Sequence, residues 1–401
     1  MGRRRVLWLN SGVRLNGNYE ARTRGRPWVW AVILLAMAAV IWFWRHKTGE
    51  ARVAEEKAPR GTIKTSVPPS LGWSSRQRSF TSAPVNVSAA RTNRAPAITV
   101  PRPSEIASGT NAAIFVARPP QNVFETQLAL ARQAISPGSL DGMPGPKTRL
   151  ALMAFQQKEN LAATGELDAR TRVQLLLAAP PFTNYLVAAD DLARLRPLGK
   201  TWLEKSQQDR LDYETVLELV AEKAQSHPNL IQLLNPVIDW TNIAAGTSVT
   251  VPGVERPPVR EKAALARIHL ESRTLQVFDE NTNLLAHFPC SIAAFAEKRP
   301  AGELHIAVIA PNPNYKFDPE NFPESAEARE LNRKLILPPG PNNPVGAVWI
   351  GLDKPGYGIH GTPRPEQVGR AESHGCFRLA NWNAEYFSQL SWVGMPVYVE
   401  P

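Results

Sequence analysis

"ESHGCFRL", residues 372–379, is the stretch on which the reading of this chain turns. It holds one of only two cysteines among 401 residues and places it directly after a His-Gly pair. A thiol does chemistry as thiolate, and a neighbouring imidazole supplies the means of reaching that form. Just upstream, "YGIHGTPRPEQVGRA" (357–371) adds a further histidine, so His360, His374 and Cys376 fall within 17 residues. Gly375 would let a substrate backbone approach Cys376 closely and would leave the local amides for an oxyanion. Arg378, two residues on, could grip a carboxylate in bidentate fashion.

The surroundings read as strands. "LARIHLESRTLQVFDENTNLLAHFPCSIA" (265–293) alternates apolar and polar residues about the turn "DENTN", a hairpin pattern. "GELHIAVI", "AVWIGL" and "MPVYVE" are further strands, and helical spacing returns only near 381–390. A mostly β domain is therefore expected over 263–401. His269, His287 and His305 fall in its strands and read as surface positions, while Cys290 reads as a packed thiol. With both cysteines so placed, free thiols are expected rather than a disulfide that would silence Cys376.

At this point "HGT", then "SHGC" thirteen residues after His360, then "RL" resemble the L,D-transpeptidase catalytic domain, or YkuD fold. "RPAGELHI", "NNPVGAVWIGL" and "GMPVYV" agree with other segments of that family, so the similarity covers about 140 residues. The resemblance implies a thiol acyltransferase acting on peptidoglycan stem peptides, without metal or other cofactor. It implies Cys376 as nucleophile and His360 as general base, with the carbonyl of Gly361 orienting His360. His374 and the amides near Gly375 would serve the oxyanion, and Ser373 and Arg378 the loop or the donor peptide. Two departures stand out: Ala301 where the family has Thr, and the insertion "NPNYKFDPENFPESAEARELNRKL" (312–335), expected to shape the donor pocket. Rival readings are a carboxypeptidase using water on the same stems, a non-catalytic wall-binding scaffold, and a zinc hydrolase with His360, His374 and Cys376 as ligands. No Cys-x-x-Cys or His-Glu-x-x-His accompanies that last trio.

Ahead of the β domain lie two smaller units. In 120–180, Gly142 precedes Thr148 by six residues and Gly165 precedes Thr171 by six, an internal repeat. Each Thr is expected to cap a helix in a three-helix unit. This unit resembles the peptidoglycan-binding domain 1 family. Residues 184–254 run from the strand-like "NYLVAAD" to "HPNLIQLLNPVIDWTNIAAGTSVTVPG", whose ending resembles a LysM module. The start lacks that family's turn, and "KTWLEKSQQDRLDYETVLELVAEK" makes the helical part long. A Pro-rich joint, "GVERPPVREK", leads into the β domain.

The N-terminal part has a different character. Residues 1–27 carry a net +6 and residues 45–110 a net +7 of the total +10, which leaves the remainder at −3. A basic surface for nucleic acid is thus not expected of the folded part. "WVWAVILLAMAAVIWFW" (28–44) holds 17 apolar residues with tryptophans at both ends. As a helix it spans roughly 25 Å, the short end of what a bilayer needs, and reads as a single transmembrane anchor. The Arg-rich head would then be cytoplasmic and the rest would lie outside the inner membrane, in the cell envelope. Residues 45–119, rich in Pro, Ser and Thr, read as a disordered linker. The expected architecture is multidomain: anchor, linker, an α-helical module, an α+β module and a mostly β catalytic domain. Peptidoglycan stems and glycan, and the membrane, are its expected partners.

Overall fold

The computed structural model describes residues 115–322, 325–370 and 375–401. The expected anchor (28–44) and most of the expected linker lie outside them. Among the described residues no helix is long and apolar enough to cross a membrane. The linker boundary moves, because residues 115–119 are built into the first unit. Arg118 pairs its backbone with Leu177 and its guanidinium with Glu125 at 2.7 Å.

The first unit holds α1 (Val123–Ala131), α2 (Pro146–Lys158) and α3 (Ala169–Gln174). Phe124, Leu128, Leu130 and Phe155 fill its core. The sequence repeat is real, but its threonines do not cap. Gly145 precedes α2 and Asp168 caps α3, which puts Thr148 and Thr171 two places inside their helices. Their hydroxyls are instead held by a glutamine from the preceding helix. Gln127 Nε2 donates to Thr148 at 3.1 Å while its Oε1 accepts from Gly142 N at 2.9 Å. Gln156 repeats this with Thr171 and Gly165, at 2.9 and 2.8 Å. Gly142 and Gly165 have φ of +70° and +71°, the left-handed region that glycine enters without strain.

The second unit begins with β1 (Phe182–Leu186) and α4 (Ala189–Arg194) and continues through α5 (Trp202–Ser206), α6 (Val216–Lys223) and α7 (Pro228–Leu234). It closes with β2 (Ser248–Pro252), which pairs antiparallel with β1. The apolar faces of α6 and α7 cover the two strands through Leu219, Val220, Ile231, Val249 and Val251. The long helical stretch is two helices, α5 and α6, separated by residues 207–215.

The β domain contains β3 (Leu265–His269), β4 (Thr274–Phe278), β5 (Leu284–Pro289), β6 (Gly302–Pro311), β7 (Tyr315–Phe317), α8 (Ala326–Leu331) and β8 (Leu335–Leu337). There follow β9 (Val348–Leu352), β10 (Gly358–His360), β11 (Phe377–Arg378), α9 (Asn381–Leu390) and β12 (Pro396–Glu400). The main sheet has the order β11-β10-β9-β6-β12-β3-β4-β5. Neighbours are antiparallel except β10 with β11 and β12 with β3. The segment read as one hairpin is a three-strand meander, because Arg273 turns the chain at φ +54° before "DENTN" does so again. Ile268, Phe288, Ile350, Phe377 and Phe387 lie in the core between sheet and α9.

The units are packed, not strung apart. The edge strand β5 is covered by the first unit: Ser136 N donates to His287 O at 2.8 Å and His287 N to Ala134 O at 3.0 Å. An unpaired edge is an aggregation hazard, and this contact removes it. His287 is accordingly buried, 1% exposed, and not the surface residue its strand position suggested. His269 and His305 do reach solvent. The Pro-rich joint is also fixed, since Arg256 donates to Trp382 O at 3.0 Å and lies over the Tyr386 ring.

Candidate active site

The two strands that carry the opening motif are neighbours. β10 and β11 run parallel, with Ile359 opposite Phe377 and His360 opposite Arg378. Cys376 immediately precedes β11, half-buried, with Sγ 3.5 Å from the Gly356 carbonyl. Burial pushes its thiol up; the Gly358 amide and the Arg378 charge draw it back down. His360 is buried at 4% exposure. Its Nδ1 lies 2.6 Å from the Gly361 carbonyl, which can only accept, so Nδ1 carries the proton and Nε2 the lone pair. Burial lowers the imidazole to about 4, opposed by the Gly361 bond, with Arg378 lowering it further. The ring stacks on Trp349 at 5.6 Å. Gly358 makes room for that indole, which a side chain there would strike.

The turn that carries His360 is held by Asn381, the first residue of α9 and wholly buried. Asn381 Oδ1 accepts from Thr362 N at 3.0 Å and Ala347 N at 3.1 Å. Gly346 and Gly361 permit this approach, since a Cβ on either would collide with Asn381 Oδ1. Asn381 Nδ2 donates to Pro341 O and to both oxygens of Glu222, each at 3.1 Å. Glu222 belongs to α6 of the second unit, and Tyr213 OH donates to it at 3.1 Å.

A flap stands on the other side. The expected insertion forms β7, α8 and β8, with β7 and β8 paired antiparallel. Its Tyr315 is close enough to Cys376 and Arg378 to feel both charges; burial first and the thiol second raise the phenol to about 12. Trp202, on α5 of the second unit, stacks on Phe317 at 4.5 Å and packs on Phe322 at 5.6 Å. Leu211 N donates to Pro339 O at 3.0 Å, and Asn342 N to Leu211 O at 2.9 Å.

The structure thus brings together His360, Gly361, Gly375, Cys376 and Arg378. Ser373 and His374 lie outside the described residues. Asn381, Trp349, Tyr315 and Glu222 were not singled out in the sequence. Asn381 follows Cys376 by only five residues and could have been weighed; Glu222 lies 154 residues before Cys376 in another unit and gives no signal. Cys290 is fully buried, and burial pushes its thiol far up, so it is a packing residue. Neither cysteine is in a disulfide.

Residues 264–399 match the family described as the L,D-transpeptidase catalytic domain. This chain carries an L,D-transpeptidase catalytic domain. Residues 119–175 match the peptidoglycan binding domain family. YkuD of Bacillus licheniformis, named as an L,D-transpeptidase, is 29% identical over 171 residues, 42% of this chain and 82% of that one. YkuD of Bacillus subtilis, with the same naming, is 27% identical over 168 residues, again 42% and 82%. YqjB of Bacillus subtilis, also named as an L,D-transpeptidase, is 37% identical over 105 residues, a quarter of this chain and 51% of the relative. The L,D-transpeptidase domain and its site are accordingly one β domain, braced by a peptidoglycan-binding-type unit and by a second unit that none of these family matches covers.

Proposed function

We propose that the L,D-transpeptidase domain works through Cys376 as nucleophile and His360 as general base on peptidoglycan tetrapeptide stems. The observation that carries this reading is the His360 Nδ1 bond to Gly361 O at 2.6 Å, one strand away from the thiol. It leaves Nε2 as the basic nitrogen and fixes the ring, the task an aspartate performs in other triads. Cys376 passes its proton to Nε2 and attacks the carbonyl of stem residue three. The oxyanion is received by amides at Gly375 and Cys376, and His374 is assigned to serve it as well. Collapse breaks the peptide bond, and the imidazolium returns the proton to the leaving D-alanine amine. The thioester then goes to an acceptor amine of a neighbouring stem; water in that place would make the enzyme a carboxypeptidase. Arg378 and Ser373 hold the donor peptide or its loop.

The domain map proposed is a cytoplasmic head (1–27), membrane anchor (28–44), linker (45–114), wall-binding unit (115–180), LysM-like unit (184–254) and catalytic domain (263–401). The two-stranded sheet flanked by α6 and α7 supports the LysM-like reading. Incubation of the purified protein with tetrapeptide stems, followed by muropeptide analysis and intact mass, tests the reaction. A cross-linked product and an acyl adduct on Cys376 are expected. Stems returned unchanged, with no adduct, would overturn it.

A further inference from the structure

The peptide unit between Gly361 and Thr362 has both ends engaged. Its carbonyl accepts from His360 Nδ1 at 2.6 Å, and its N–H donates to Asn381 Oδ1 at 3.0 Å. The same Asn381 donates through Nδ2 to the Glu222 carboxylate, 3.1 Å to each oxygen. We propose that Glu222, supplied by the unit ahead of the catalytic domain, is a positioning residue for the transpeptidase reaction: its carboxylate acts through Asn381 and the 361–362 amide to orient His360 and stabilise its imidazolium. This rests on His360 being the base.

Hydrogen-bonded amides polarise one another, so negative charge at Glu222 strengthens Asn381 as an acceptor and Gly361 O in turn. The His360 ring needs that help, since it is buried with no carboxylate bonded to it among the described residues. Glu222 is a costly residue to place here. Besides Asn381 it faces Tyr213, which donates to it, Glu218 one turn back on α6, and Glu385 on α9. Arg256 faces Glu385 and not Glu222. No ion pair holds Glu222 among the described residues, and burial raises its carboxyl to about 7, with the Asn381 and Tyr213 bonds opposing. The aid to His360 is therefore present above about pH 7 and fades below it.

The experiment measures carbapenem acylation of Cys376 by intact mass on the full-length protein between pH 5 and 9, with urea unfolding on the same samples. Glu222→Gln is expected to slow acylation roughly tenfold at pH 8, the worth of one hydrogen bond to a charged group, and little at pH 5. It should do so while gaining stability at pH 8, because the buried charge is gone. Adding Asn381→Asp to Glu222→Gln puts a carboxylate directly on the Thr362 amide and should restore the rate. A merely structural Glu222 would lose rate and stability together and gain nothing from Asn381→Asp. Wild-type acylation by Glu222→Gln at every pH, with His360→Ala slow, overturns this inference alone. Wild-type acylation by His360→Ala overturns the base assignment beneath it.

Discussion

His360 and His287 are both kept neutral by burial, but only His360 is proposed to move a proton. His360, lowered to about 4, is an unprotonated base throughout the neutral range. With Cys376 as the proposed nucleophile and His360 as its proposed base, Cys376→Ala removes the attacking atom, so no adduct should form at any pH. His360→Ala leaves the thiol without its acceptor; acylation should fall by roughly 10² to 10⁴ and recover in part as pH rises towards the ordinary thiol range near about 8.5. Intact mass over a pH series checks both. His287 lies where the first unit meets β5, lowered to about 3 by burial, with His269 adding to the effect. Its folded value lies below its unfolded one, so below about pH 6.5 the unfolded chain binds a proton that the native chain refuses. Stability from this site is lost as pH falls, by about 1.4 kcal/mol per pH unit. His287→Gln should make the acid limb of a urea-unfolding series shallower by that slope.

Among the elements, two glutamines hold the first unit together, and a glycine lets the second unit close on the flap. Gln156 is fully buried and serves Thr164, Glu166, Thr171 and Gly165. Gln156→Ala leaves the buried Gly165 amide without its acceptor and should cost about 1–3 kcal/mol, read as a lower urea midpoint. Gly340, at φ +148°, lies against the Leu211 carbonyl, where a Cβ would collide with backbone. Gly340→Ala should push residues 195–212 off the flap, loosen the Trp202–Phe317 stack, and expose 312–335 to limited proteolysis. Cleavage no faster than wild type would show that the flap holds without this clamp. The reading of Thr148 and Thr171 as caps went astray because a threonine near a helix start suits both the cap and the third helical position. The partner that decides between them sits on another helix.

Across the whole molecule, the second unit touches the catalytic domain on both sides of the site, Trp202 at the flap and Glu222 at the His360 turn. That contact carries a pH signature. Glu222 is raised to about 7 in the folded chain, above an ordinary glutamate, so its contribution is full below about pH 4.5 and is lost as pH rises through 7. The shift corresponds to roughly 3 kcal/mol as an upper figure. Glu222→Gln should therefore gain stability relative to wild type between pH 5 and 8. Equal pH dependence of the two proteins in urea unfolding would exclude a strained carboxyl at this junction.

The L,D-transpeptidase domain and most of its β strands were legible along the chain. A cysteine after His-Gly, a second His-Gly thirteen residues before Ser373, and strands of alternating polarity are local signals, because a nucleophile loop and a strand each need their residues close in the chain. The peptidoglycan-binding-type unit was legible in the same way, as a periodic, turn-bounded segment. How these parts meet was settled by packing alone. The burial of His287, the glutamine grip on the repeat, the flap clamp and the chain from Glu222 through Asn381 to His360 join residues from 9 to more than 150 positions apart. Each is a hydrogen bond or packed contact between residues that, read along the chain, show no sign of one another. Their partners are chosen by the packing of one element on another, and no spacing in the sequence encodes that.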